Sequence, residues 1–103
     1  MTFMETVQFR LKDGADEAAF LTAAFRMDTE FQPTQPGYVP DSRRTFRTAD
    51  GNWMISVGWE TQADSVASQK AFAEAGDITT DYVSPMDPTS VAINVYEVMV
   101  RPG

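Results

Sequence analysis

Two hydrophobic periods alternate along this chain, and their order limits its fold more than any other feature. From Phe3 to Leu11 the period is two, with Phe3, Glu5, Val7, Phe9 and Leu11 on one side and Met4, Thr6, Gln8 and Arg10 on the other, as a half-buried strand requires. Lys12-Asp13-Gly14 is a turn, and Asp16 stands where a helix N-cap accepts from free backbone N–H groups. Phe20, Ala24, Met27 and Phe31 then recur at steps of four, three and four, a stripe that predicts a helix lying on the Val7, Phe9, Leu11 face. Leu21 and Phe25 form a second line, so this helix has apolar surface beyond what one sheet face needs, and a second contact is implied.

Pro33, Pro36 and Gly37 end the helix. Tyr38 to Thr48 reads as a second strand whose Pro40 suits an edge position or a bulge. Ala49-Asp50-Gly51-Asn52 carries a tight-hairpin signal, and Trp53 to Glu60 follows as an antiparallel third strand. Trp53, Ile55, Val57 and Trp59 share one side, with core packing as their expected role, and Met54, Ser56 and Gly58 share the other. Thr61 and Asp64 resemble a capping box opening a second helix that runs to about Ala75-Gly76. Its expected sheet-facing stripe is Ala63, Val66, Ala67 and Ala71, with Phe72 pointing elsewhere. Asp77 to Ser90 reads as a loop with one helical turn near Ile78 to Val83. In the last strand, Val91 to Val100, the residues Val91, Ile93 and Val95 alternate with Ala92, Asn94 and Tyr96, and Arg101-Pro102-Gly103 forms a tail.

Strand, helix, strand, strand, helix, strand is the ferredoxin-like βαββαβ plan, an α+β fold with two helices on one face of a four-stranded antiparallel sheet. A chain of 103 residues is expected to be one domain, residues 1–103, able to bury a core without disulfides. The other sheet face combines polar Thr6, Gln8, Ser56 and Asn94 with Met4, Met54, Ala92 and Tyr96. That mixture is too wet for a dry core and too apolar for open water, which predicts a homodimer joined through the open sheet face, with a pocket inside each subunit.

The chain contains neither histidine nor cysteine, which removes a thiolate nucleophile, a Ser-His-Asp relay and zinc sites with nitrogen or sulfur ligands. No metal site and no cofactor are expected. Asp77, Asp81 and Asp87 fit no Ca²⁺ loop spacing and read as turn-forming or solvated. A formal net charge of −7 argues against nucleic acid as a partner. Arg43, Arg44 and Arg47 form a local basic cluster flanked by Asp41 and Asp50, which reads as a solvated strand face or an internal anion contact. The apolar runs are too short for a bilayer span, and no signal-peptide pattern follows Met1, so the expectation is a cytoplasmic protein with no membrane partner.

Phe9-Arg10-Leu11-Lys12-Asp13-Gly14, Gln35-Pro36-Gly37-Tyr38-Val39, Asp50-Gly51-Asn52-Trp53, Trp59 and Tyr96-Glu97-Val98, in this order and spacing, resemble the dimeric α+β barrel superfamily, in particular the antibiotic biosynthesis monooxygenase-like domains. The resemblance implies a cofactor-independent monooxygenase that acts on or binds a small aromatic or enolic metabolite. Haem-binding members that rely on a proximal histidine are excluded as models. Such a site needs donors aimed at a developing oxyanion. On this reading Asn94 and Tyr96 are the candidate catalytic residues, and Gln8, Thr6, Met54, Ser56 and whichever of Arg43 and Arg47 faces inward are candidates for holding the small-molecule ligand. The competing account has Asn94, Tyr96 and Gln8 hydrogen-bonding across the dimer. At the level of function, the alternative is a non-enzymatic ligand-binding or stress-responsive barrel, or an accessory subunit.

Overall fold

The structure is a computed structural model and describes residues 2–100, so the expected tail Arg101-Pro102-Gly103 lies outside the described residues. Strand β1 (Phe3–Phe9) is central and pairs antiparallel with both β3 (Trp53–Trp59) and β4 (Ala92–Glu97). The short β2 (Arg44–Arg47) pairs antiparallel with β3, giving the sheet order β2-β3-β1-β4. This is the expected ferredoxin-like sheet, with β2 at an edge.

Helix α1 (Glu17–Arg26) starts as its sequence dictates: Asp16 Oδ1 accepts from Ala19 N at 3.1 Å. The helix widens into a π segment, Met27–Phe31, and then tightens into a 3₁₀ turn, Gln32–Thr34. Its stripe of Phe20, Ala24, Met27 and Phe31 is buried, whereas Leu21 and Phe25 are exposed. Phe20 is fully enclosed, edge-on to Phe9 and Trp53 and stacked on Tyr82 with ring centres 5.5 Å apart.

Strand β2 is shorter than the Tyr38 to Thr48 expectation. Tyr38 bridges Trp59, pairing lapses through Pro40 and Asp41, and Ser42 stands in for the ladder by accepting from Gly58 N at 2.9 Å. Asp41 adopts a φ of 61° in a tight turn that Ser42 N closes by donating to Val39 O at 3.1 Å. Gly37, at φ 78°, lets the chain pass so close to Asp64 that a side chain there would overlap the Asp64 carboxyl.

Helix α2 (Gln62–Ala73) begins at Thr61, whose Oγ1 accepts from Asp64 N at 3.1 Å. Of the expected sheet-facing stripe only Ala71 packs against the core. Ala63, Val66 and Ala67 are exposed, and Ser65 and Ser68 are the buried residues of the helix. The reason lies on the sheet below, where Glu5 occupies a helix-facing position and takes its hydrogen bonds from α2. Phe72, expected to point away, packs edge-on to Phe31 and Tyr82. A third helix, α3 (Asp77–Val83), replaces most of the expected loop and buries Thr79 and Tyr82.

Candidate functional site

Residues directly opposite in an antiparallel ladder share a face. The pairs Thr6↔Ser56, Thr6↔Asn94, Gln8↔Met54, Gln8↔Ala92 and Met4↔Tyr96 therefore put the expected site residues on the face away from the helices. Gln8, Asn94 and Tyr96 are exposed there, Thr6, Met54 and Ser56 are half-buried, and the Gln8 amide lies 3.8 Å from the Met54 sulfur.

A partly enclosed space lies on the opposite side, between sheet and helices: a cavity of about 250 Å³. Its apolar wall includes Val7, Ile55 and Val57 from the sheet, Met27 and Phe31 from the π segment, and Phe72 from α2. The widened π turn places both Met27 and Phe31 on the cavity, a use of that geometry common at functional sites. Val83, Val91 and Ile93 also line it and are themselves partly exposed, so the space opens along the β4 side. A wider depression of about 800 Å³ between Lys12–Phe20 and Asp81–Pro85 is an open surface hollow.

Polar groups enter this apolar wall at few points. Arg43 precedes the Arg44↔Ser56 pair, so its side chain falls on the helix side, where it is 8% exposed. Its Nη1 donates to Asp28 Oδ1, and its Nη2 donates to the Tyr82 hydroxyl at 3.0 Å. Burial works against the Arg43 charge, but Tyr82 and Asp28 outweigh it and hold its pKa above the ordinary arginine value. Burial likewise pushes the Tyr82 phenol up, and Arg43 pulls it back only in part, so Tyr82 keeps its proton through the neutral range. That proton has no acceptor among the described residues. Arg47 takes another course: it stacks over the Trp53 ring at 4.4 Å and pairs with Glu17 at 2.8 Å, clear of the cavity. Of the two arginines, Arg43 is the one that lines it.

Among the described residues three buried side-chain atoms lack a partner: Thr45 Oγ1, on a residue that does not line the cavity, and two donors on residues that do. Trp59 Nε1 and Gln32 Nε2 both belong to residues of the cavity wall, 1% and 4% exposed. A buried donor left unmatched costs about 1–3 kcal/mol, and native interiors hold few of them. Glu5 is the carboxyl of the wall, 8% exposed; Ser65 Oγ donates to its Oε1 at 2.5 Å and Gln69 Nε2 to the same oxygen at 3.5 Å.

The sequence does carry a signal for this wall. Glu5 is the one charged residue on a strand side otherwise made of Phe3, Val7, Phe9 and Leu11. Tyr82 and Gln32 had none, because their burial depends on how α3 and the end of α1 dock. Among the described residues no cluster of acidic side chains is arranged to hold a metal ion, and no helix is long and apolar enough to cross a membrane.

No protein-family model matches the sequence, and no curated protein matches it. Solved structures do match. SnoaB, a cofactor-independent oxygenase from Streptomyces nogalater, superimposes with a TM-score of 0.72 at 14% identity, covering 96% of this chain and 94% of that one. The haem-degrader MhuD of Mycobacterium tuberculosis, solved with two haems in its active site, gives 0.71 at 16% identity, covering 98% and 99%. A dimeric ferredoxin-like protein of unknown function from Jannaschia sp. CCS1 gives 0.67 at 13% identity, covering 95% and 100%. The chain thus shares the ferredoxin-like α+β fold of these proteins, as its element order predicted, and at these identities the likeness is one of fold.

Proposed function

We propose that this chain is a cofactor-independent monooxygenase that binds a small phenolic or enolic metabolite in the cavity between sheet and helices. The observation that carries the reading is that two residues of the cavity wall, Trp59 and Gln32, each hold a buried donor without a partner, Nε1 and Nε2. Together with the Tyr82 hydroxyl, polarised by Arg43, they form an apolar space with several preset donors. Such a space favours an oxyanion over its neutral parent, because fixed dipoles in a water-poor site need no reorganisation as charge develops. Loss of the ligand's O–H proton leaves an electron-rich ring or enolate carbon. Dioxygen adds at that carbon to give a C–O–O–H group, and loss of water leaves C=O, so one oxygen atom enters the product and the other leaves as water. The fold shared with SnoaB supports the choice of reaction class.

Haem does not fit this wall. The cavity lies below the range of about 300 Å³ upward of drug-sized ligand pockets, histidine is absent, and the Tyr82 oxygen is taken up by Arg43. No step is drawn through it.

On the open sheet face we place a second copy of the chain. Phe46 and Tyr96 are exposed there, at 42% and 53%, and the polar groups around them suit hydrogen bonds across a two-fold axis. Asn94, Gln8, Thr6, Met54 and Ser56 then serve assembly, and sedimentation as a single subunit at micromolar concentration contradicts it.

The reaction is tested with α-naphthol, a bicyclic phenol whose oxidation to the para-quinone consumes one O₂ and releases one water. The expected result is protein-dependent oxygen uptake, with one labelled oxygen atom from ¹⁸O₂ in the quinone. Tyr82→Phe, which removes one donor, lowers turnover about 100-fold or more. Tight binding of phenols without any oxygen uptake overturns the monooxygenase reading in favour of a ligand-binding barrel.

A further inference from the structure

Glu5 is the least expected group in the core, and the fold alone does not account for it. It sits in the middle of the central strand, opposite Val57 on one side and Val95 on the other. Burying a carboxyl there is unfavourable unless its oxygens find donors. The protein supplies two, Ser65 Oγ and Gln69 Nε2, yet both converge on Oε1. Among the described residues Oε2 receives no hydrogen bond. A carboxyl fixed through one oxygen at the wall of a cavity, with the other unengaged, is an acceptor held ready for a donor that comes with the ligand.

Its neighbour sharpens the point. Trp59 lies two residues beyond Val57 on the same face of β3, which makes it the diagonal cross-strand neighbour of Glu5, with backbones about 7–8 Å apart. Trp59, whose Nε1 is an unpartnered donor, and Glu5, whose second oxygen is an unengaged acceptor, therefore line one cavity from adjacent positions. The positive charge in the wall, Arg43, is already matched by Asp28, so the cavity holds no unspent cation for an anionic ligand.

We infer that the ligand is a neutral hydroxy-carbonyl compound, whose hydroxyl donates to Glu5 Oε2 while its carbonyl oxygen accepts from the unpartnered donors of the same wall. This rests on reading the cavity as the ligand site, and it adds that Glu5 selects for a hydroxyl on the bound molecule. A free carboxylate offers Glu5 no proton and is disfavoured. In Glu5→Gln the side-chain oxygen keeps the hydrogen bonds from Ser65 and Gln69, and the new amide turns donors toward the ligand.

The probes are para-hydroxyacetophenone and para-methoxyacetophenone, which share the carbonyl and differ in the donor. Calorimetric titration of the wild-type protein is expected to show the hydroxyl compound binding about tenfold tighter or more. In Glu5→Gln that preference disappears or reverses, with the fold checked by thermal melting. Equal affinity of the two compounds for the wild-type protein overturns the inference while the cavity remains a ligand site, and so does an unchanged preference in Glu5→Gln. Failure of both compounds to bind the wild-type protein removes the cavity reading and this inference with it. Should Glu5→Gln not fold, the wild-type comparison of the two compounds decides.

Discussion

Individual side chains in this protein are governed by where hydrogen-bond partners are found. Asp87 shows the point at the surface: Arg10 Nη2 donates to it at 2.8 Å, and Thr89 donates through both its backbone N–H and its hydroxyl. The Arg10 contact first, and Thr89 after it, hold the Asp87 carboxyl at about 2, below its ordinary 3.8. A carboxyl whose folded pKa is depressed stabilises the fold fully above about pH 4 and loses that contribution as the pH falls toward 2. Asp87→Asn is therefore expected to lower the melting temperature at pH 6, with the gap to wild type narrowing between about pH 4 and pH 2. A gap that stays constant over that range contradicts the assignment. At this scale the sequence was only partly legible. Alternation along β1 fixes which side Glu5 shares with Val7 and Phe9, but not that Ser65, sixty residues away, is its partner. Polar residues at Asn94, Gln8 and Thr6 suggest a pocket as readily as a wet outer face, and only the placement of the helices decides between them.

Elements show which patterns survive the move from sequence to structure. The stripe of α1 is legible because Phe20, Met27 and Phe31 are large and apolar, so their burial dominates any competing arrangement. Helix α2 offers only small or weakly apolar residues, and its orientation is set by the sheet: Glu5 draws in Ser65 and Gln69, which turns Val66 out to 59% exposure. The consequence is measurable by denaturant unfolding. Val66→Lys is expected to change stability by no more than about 0.5 kcal/mol, as for other exposed sites. Ser65→Ala, which leaves Glu5 Oε1 with only the long Gln69 contact, is expected to cost about 1–3 kcal/mol. The reverse order of effects contradicts this orientation of α2. Strand β2 and helix α3 were blurred in the sequence for a related reason. Pro40 and the kink at Asp41 are side-chain and backbone accommodations at a sheet edge, and the seven residues of α3 gain their burial from Tyr82 stacking on Phe20.

At the scale of the whole molecule, the order of hydrophobic periods was sufficient to name the architecture, since few arrangements of these elements close one core around an antiparallel sheet. It could not say on which side of the sheet a cavity lies. An antiparallel sheet commonly keeps one polar face whatever its function, so polar residues on the outer face carried little information about a pocket. The cavity lies between the sheet and the π segment, α2 and α3, with Trp59 and Gln32 among the residues of its wall. The most direct test observes that wall itself. The chain has two tryptophans, so a ¹⁵N-labelled sample gives two indole N–H resonances, assigned with Trp53→Phe. On titration with para-hydroxyacetophenone the Trp59 Nε1–H signal is expected to move downfield as it gains an acceptor, while the Trp53 signal, beneath Arg47 and outside the cavity, stays in place. A ligand that binds and leaves the Trp59 signal unmoved, or shifts Trp53 alone, contradicts the account.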